Sequence, residues 1–186
     1  FTTDNTVGDT TYEWSAEGDS IGLSPTSGTV DPDTDEDITF TADIGDSPDE
    51  VSVLFTVTPT FTYDGVSCVG TTDQQQTFTV IVNPEPQIDD FTETICEGDT
   101  FASITPVNDT NGVVPSGTTY TWVIANNSSP DVIGGSASTA PSATIPGSEL
   151  TLENGVTEPR DLIYTVTPNT EEGCEGEPFT VTITVN

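Results

Sequence analysis

"FTVTITVN", Phe179 to Asn186, decides the fold class. Phe179, Val181, Ile183 and Val185 alternate with Thr180, Thr182 and Thr184. A period of two sends the apolar set to one face of an extended chain and the hydroxyls to the other, so the stretch reads as a half-buried strand. "VSVLFTVTP" (Val51 to Pro59) alternates in the same way. Between such runs, "GDSPDE", "NDTNG" and "IPGS" supply turn residues, and no stretch combines helical periodicity with caps.

Working outward from this strand, its relatives recur. "TTYEW" (Thr10 to Trp14) returns as "TTYTW" (Thr118 to Trp122), and "LFTVTP" (Leu54 to Pro59) as "IYTVTP" (Ile163 to Pro168). "SCVG" then returns as "GCEG", and "FTVIVN" (Phe78 to Asn83) as "FTVTITVN". Landmarks repeated in the same order are an internal repeat. Short strands separated by turns, twice over, predict two tandem immunoglobulin-like β-sandwiches. The first spans residues 1–83, a proline-containing linker 84–86, and the second 87–186. Alternate prolines in "NPEPQ" withhold ladder donors and hold the chain extended, so the linker reads as a short, stiff joint. The first copy starts abruptly at Phe1 and is expected to lack its opening strand.

Trp14 and Trp122 each follow a Tyr by two residues and share its face. Both are read as core aromatics of a central strand, with Tyr12 and Tyr120 as the wetter members of the pairs. The competing role for a Trp is a sugar-stacking platform.

The chain of 186 residues carries 32 Asp plus Glu, one basic residue (Arg160) and no His, for a formal charge of -31. With almost no cation to neutralise phosphate, nucleic-acid binding is excluded. No apolar run approaches the roughly 18 residues of a membrane span, so direct membrane insertion is not expected. Catalysis is not expected either: without His there is no serine or cysteine triad, and no pair among the many carboxylates is singled out for glycosidase chemistry.

Copy two holds Cys96 in "TICEGDT" and Cys174 in "GCEGEP". They are expected to form a disulfide that stabilises the domain by about 3 to 4 kcal/mol, which implies an oxidising, extracellular compartment. Cys68 matches Cys174 by its place in the repeat, and its partner would lie before Phe1, so it is read as unpaired through truncation. A metal or catalytic role for a cysteine lacks the neighbouring His or second thiol it needs.

"TTYTW", "IYTVTPNTEEGCEGEPFTVTITVN", "CEGDT" and the closing "VNPEP" together resemble the PKD-like repeats of very long Bacteroidota surface proteins, including gliding-motility adhesins exported by type IX secretion. The resemblance implies an immunoglobulin-like sandwich, a cell-surface location, and service as one link of an adhesin stalk or filament. Its partners would be neighbouring repeats of the same long chain, with surface polysaccharide reached through distant domains. In such bacteria, Asp-Ser before an apolar residue suits an O-glycan, which makes Ser20 in "DSI" a candidate.

"DPDTDED", residues 31–37, is the main candidate for a cofactor, calcium. Asp31, Asp33 and Asp35 stand at the alternate positions of an EF-hand loop, but Glu36 replaces the required Gly and Ala42 the bidentate Glu, so it is not an EF-hand. Two readings stay open: a solvated acidic loop, which is favoured, or a looser calcium site using Asp31, Asp33, Asp35 and Asp37. A weaker calcium candidate is Asp89 with Asp90 at the joint. The alternative to the stalk is a polysaccharide- or calcium-binding module of a secreted protein, with Phe61 and Tyr63 in "TPTFTYDGVS" as its exposed aromatic contacts.

Overall fold

A computed structural model describes residues 7–18, 22–31 and 39–186. Among these described residues the regular structure is strand apart from one 3-10 turn at Thr72–Gln74. The chain divides into two units, Phe1–Gly45 with Glu50–Val82, and Asp46–Asp49 with Asn83–Asn186.

In the first unit the strands are β1 (Asp9–Gly18), β2 (Ser27–Val30), β3 (Val51–Tyr63), β4 (Val66–Val69) and β5 (Gln76–Val82). β3 is the axis of a single sheet. β1 pairs along one side of it and carries β2 on its own far side, while β4 and β5 share the other side of β3. The long alternation of "VSVLFTVTP" explains the central place: Val53, Phe55 and Val57 are buried and face Tyr12, Trp14 and Val30. Phe55 is the hub, with ring centroids of Phe40, Trp14 and Phe78 at 4.9, 5.7 and 4.8 Å.

The second unit runs β6 (Gln87–Ile88), β7 (Phe91–Ile95), β8 (Gly112–Val113), β9 (Thr119–Ile124), β10 (Val132–Ile133), β11 (Thr151–Leu152), β12 (Arg160–Asn169) and β13 (Phe179–Val185). Its main sheet has the order β7-β13-β12-β9, with short pairs β6-β8 and β10-β11 beside it. All named pairs are antiparallel except β7 with β13. Val181, Ile183 and Val185 of β13 and Val166 of β12 are wholly buried. They pack with Phe101, Ile145 and Leu150, supplied by connecting segments that are themselves laced by bridges such as Ile104 to Ile145. Burying each such side chain contributes about 1.5 to 3 kcal/mol.

The register is the same in both units. Trp14 stands opposite Val57 and Tyr12 opposite Pro59, as Trp122 stands opposite Val166 and Tyr120 opposite Pro168. The all-β, immunoglobulin-like fold expected from the alternating runs is the fold observed.

Three details depart from the sequence reading. The final strands do not align on their phenylalanines: Phe78 faces Phe55, whereas Val181 faces Tyr164, so Phe78 corresponds to Val181 and Gln76 to Phe179. Cross-strand partners set register, and a shared Phe is a weaker guide than the partner it faces. Neither pair has a wet member: Tyr12 is 8% and Trp14 5% exposed, Tyr120 2% and Trp122 8%, so the tyrosine is the more exposed of the two only in copy one and the whole Tyr-x-Trp face is turned into the core. The cysteines also differ from the expectation, since Cys96 and Cys174 are not bridged.

Candidate functional site

β7 runs parallel to β13 and places Ile95 beside Val185, and Val185 lies opposite Arg160 at the start of β12. Cys96 follows Ile95 and so sits at that end of the sheet. Cys174 sits at the other end, where its carbonyl accepts the Thr170 N–H at 3.0 Å. From Arg160 to Thr170 an extended strand covers about 30 Å, far beyond the roughly 7 Å between Cα atoms that a disulfide tolerates. The expected Cys96–Cys174 bridge is not formed; Cys68, Cys96 and Cys174 are all free thiols. The inference of an oxidising compartment from that bridge falls with it.

Cys68 does occupy the place of Cys174. Gly70 N–H donates to the Pro59 carbonyl at 2.7 Å, and Gly176 N–H to the Pro168 carbonyl at 3.1 Å. What differs is the hairpin tip. In copy one, Tyr63 and Val66 face each other across Asp64 and Gly65, whose φ values are +48° and +78°. Two residues of positive φ make the tight turn whose twist suits a hairpin, and Asp-Gly is its usual sequence. That "DG" pair is the local signal by which the sequence marks this hairpin. Phe61 and Cys68 form the rung after next, beyond Thr62 and Ser67, so Phe61, Tyr63, Val66 and Cys68 share one face. Tyr63 is 55% and Val66 65% exposed, while Phe61 is half-buried with its ring against the backbone of Gly8. Of the two aromatic candidates, Tyr63 is therefore the accessible one.

Trp122 is fixed from both ends. Its indole N–H donates to the Ser136 carbonyl at 3.0 Å, and its backbone N–H donates to Ser138 Oγ at 2.9 Å. Ser136 N–H in turn donates to the Tyr164 hydroxyl at 3.2 Å. Burial raises the Tyr120 hydroxyl from 10.0 to about 12. It raises Tyr164 too, against the smaller opposing effect of the Ser136 hydrogen bond. Trp14 lies on Gly28, where a Cβ would come within 2.7 Å of the indole nitrogen. Both tryptophans are packed into sheets and present no stacking platform.

Of the acidic candidates, Asp31 is half-buried directly after β2, while Asp33, Asp35, Asp37 and the O-glycan candidate Ser20 lie outside the described residues. Asp90 is already engaged, its Oδ1 accepting the Thr180 N–H at 2.6 Å. The Asp89 N–H donates to the Asn111 carbonyl at 3.1 Å. Among the described residues, no group of three or more His, Cys, Asp or Glu is placed to hold a metal ion. The lone cation, Arg160, pairs with Asp131 at 2.8 Å.

No described helix is long and apolar enough to cross a membrane. No curated protein matches the chain by sequence. The crystal structure of chicken VE-cadherin EC1-2 is similar at 15% identity over 100% of this chain and 87% of that one, with a TM-score of 0.32. The family model described as PKD-like domain matches residues 93–186, the greater part of the second unit. Domains of this kind are typically extracellular, non-catalytic structural modules and often occur as repeats. On that match, and with an all-β, immunoglobulin-like fold around it, the chain belongs to the PKD-like domain family.

Proposed function

We propose that the chain is a structural link in the stalk of a large cell-surface adhesin, serving surface attachment or gliding motility. The observation that carries this reading is the reuse of one register in two units: Trp opposite Val and Tyr opposite Pro in each. A chain that repeats its core and varies its loop tips is built to be copied along a filament. Its partners are neighbouring repeats of the same chain, and any polysaccharide is met by distant domains. The formal charge of -31 keeps adjacent stalks apart and soluble. The finer assignment is a Bacteroidota-type surface protein exported by type IX secretion, and it draws on the sequence landmarks alone.

The test is the size of the parent protein in a cell-surface fraction, read on a large-pore denaturing gel with an antibody against this region. A band far too large for a chain of a few domains is the expected result. A short secreted species would instead favour a binding module. The second reading has one specific observation behind it, the exposed Tyr63 at the tip of the longer hairpin. Polysaccharide binding that disappears in Tyr63→Ala would establish that module, and the stalk reading expects no such binding.

A further inference from the structure

The tripeptide Asn-Gly-Val occurs twice in the second unit, at residues 111–113 and 154–156. Identical neighbours give the two asparagines the same intrinsic chemistry. An Asn followed by Gly is prone to attack by its own backbone, because glycine has no Cβ to hinder the amide nitrogen. What separates the two is the fold.

Asn111 is half-buried and tied at three atoms. Its Oδ1 accepts the Val107 N–H at 3.0 Å. Its own N–H donates to the Val107 carbonyl at 2.9 Å, and its carbonyl accepts the Asp89 N–H at 3.1 Å. Gly112 opens β8 and lies so close to β6 that an added Cβ would collide with the Gln87 carbonyl. Closing a ring between the Asn111 side chain and the Gly112 nitrogen requires rotations that these bonds oppose.

Asn154 stands in the loop between β11 and β12, where Glu153, Asn154 and Gly155 are all exposed. The Val156 N–H donates to the Glu153 carbonyl at 3.1 Å and Gly155 has a φ of +93°, so glycine takes the third position of a four-residue turn. Among the described residues nothing bonds to the Asn154 side chain or to the Gly155 N–H. A Cβ built on Gly155 would meet only open space. The side-chain amide, the nitrogen that attacks it and solvent water all have room.

We propose that Asn154 is a site of spontaneous deamidation and that the fold withholds the same reaction from Asn111. The Gly155 nitrogen bonds to Cγ of Asn154, closing a five-membered succinimide. The Cγ–Nδ2 bond breaks, and Nδ2 leaves as ammonia with the proton that the Gly155 nitrogen gives up. Water then opens the ring. Attack at Cγ breaks the new bond to nitrogen and yields α-linked aspartate, whereas attack at the main-chain carbonyl carbon breaks the original peptide bond and yields β-linked isoaspartate. Either product adds a carboxylate beside Glu153 in a chain already at -31. The β-linked product also lengthens the turn by a methylene next to Val156, which packs against the core. The assignment does not depend on the stalk reading.

The test uses the unaltered chain, so folding of a variant is not at issue. The protein is held near neutral pH and body temperature for several weeks, then digested with pepsin at acid pH, where the reaction is slow. Peptides are mapped by mass spectrometry with fragmentation that separates α- from β-linked aspartate. In the folded chain the Asn154 peptide should gain the mass of amide-to-acid exchange about tenfold faster or more than the Asn111 peptide, whose reaction waits on local opening. In urea the two rates should converge, since the tripeptides are identical. Equal rates in the folded chain overturn the proposal. So does a difference that persists in urea, which would place its cause in flanking sequence. A product at position 154 that is α-linked only would also overturn it, since a succinimide opens both ways.

Discussion

Val82 and Val185 occupy the same place in the two repeats, at the ends of β5 and β13, opposite Val51 and Arg160. Val185 is wholly buried, with Ile95 of β7 beside it, whereas Val82 is half-buried and, among the described residues, has a strand on one side only. Val→Ala at each removes the same two methyl groups, so the comparison isolates the covering. For Val185→Ala, the transfer and cavity contributions together come to about 2 to 3 kcal/mol. For Val82→Ala the exposed half was never removed from water and the site is open enough to relax, which leaves about 1 kcal/mol or less. Each unit contains one of the two tryptophans, Trp14 or Trp122, so urea unfolding followed by fluorescence in Trp14→Phe and Trp122→Phe backgrounds reports each unit by itself. Equal costs for the two substitutions, or a cost below about 1 kcal/mol for Val185→Ala, would refute the equivalence of the strands and the protective role of β7.

Gly28→Ala should destabilise the first unit by about 1 to 3 kcal/mol by forcing the Trp14 indole off its seat, read as a lower urea midpoint in the Trp122→Phe background. Because burial raises Tyr120 from 10.0 to about 12, the unfolded chain releases that proton first. Stability should therefore be unaffected below about pH 10 and fall as pH climbs towards about 12, and Tyr120→Phe should remove part of that alkaline loss, measured by urea midpoints across the range. Thiol titration of the denatured, unreduced protein should count three reactive groups, and reductant should leave the unfolding midpoint unchanged; a count of one would restore the Cys96–Cys174 bridge. Added monovalent salt should raise the thermal midpoint, since it screens the self-repulsion of a chain charged at -31.

Strand identity was legible because alternation is a local property: each apolar residue of "FTVTITVN" is buried and each Thr between them is half-buried. The repeat was legible for the same reason, and it correctly paired the two Tyr-x-Trp strands and the two Cys-x-Gly regions. What stayed hidden depended on three-dimensional placement. Two cysteines near the ends of a domain's sequence looked like neighbours, but the parallel run of β7 along β13 carries them to opposite ends of the sheet. The register of the final strands was equally hidden, since the shared Phe of "FTVIVN" and "FTVTITVN" suggests an alignment that the cross-strand partners Phe55 and Tyr164 overrule. Of the candidate sites, Tyr63 was found through the longer loop of copy one, while the Asp90 cap on Thr180 joins residues far apart in the chain and leaves no local pattern.

The parallel pairing of β7 with β13 also governs how the second unit bears tension. A pull on the N-terminal end of β7 and the C-terminal end of β13 acts along both strands in opposite directions, so the rungs from Phe91–Val181 to Ile95–Val185 are loaded together in shear. An antiparallel hairpin pulled from its open end would instead unzip rung by rung. In shear no rung can yield alone, and the extension at which the unit gives way is set by the slow crossing of one shared barrier. The strand arrangement that closes the core is thus also the clamp by which the domain resists being drawn out along its own chain.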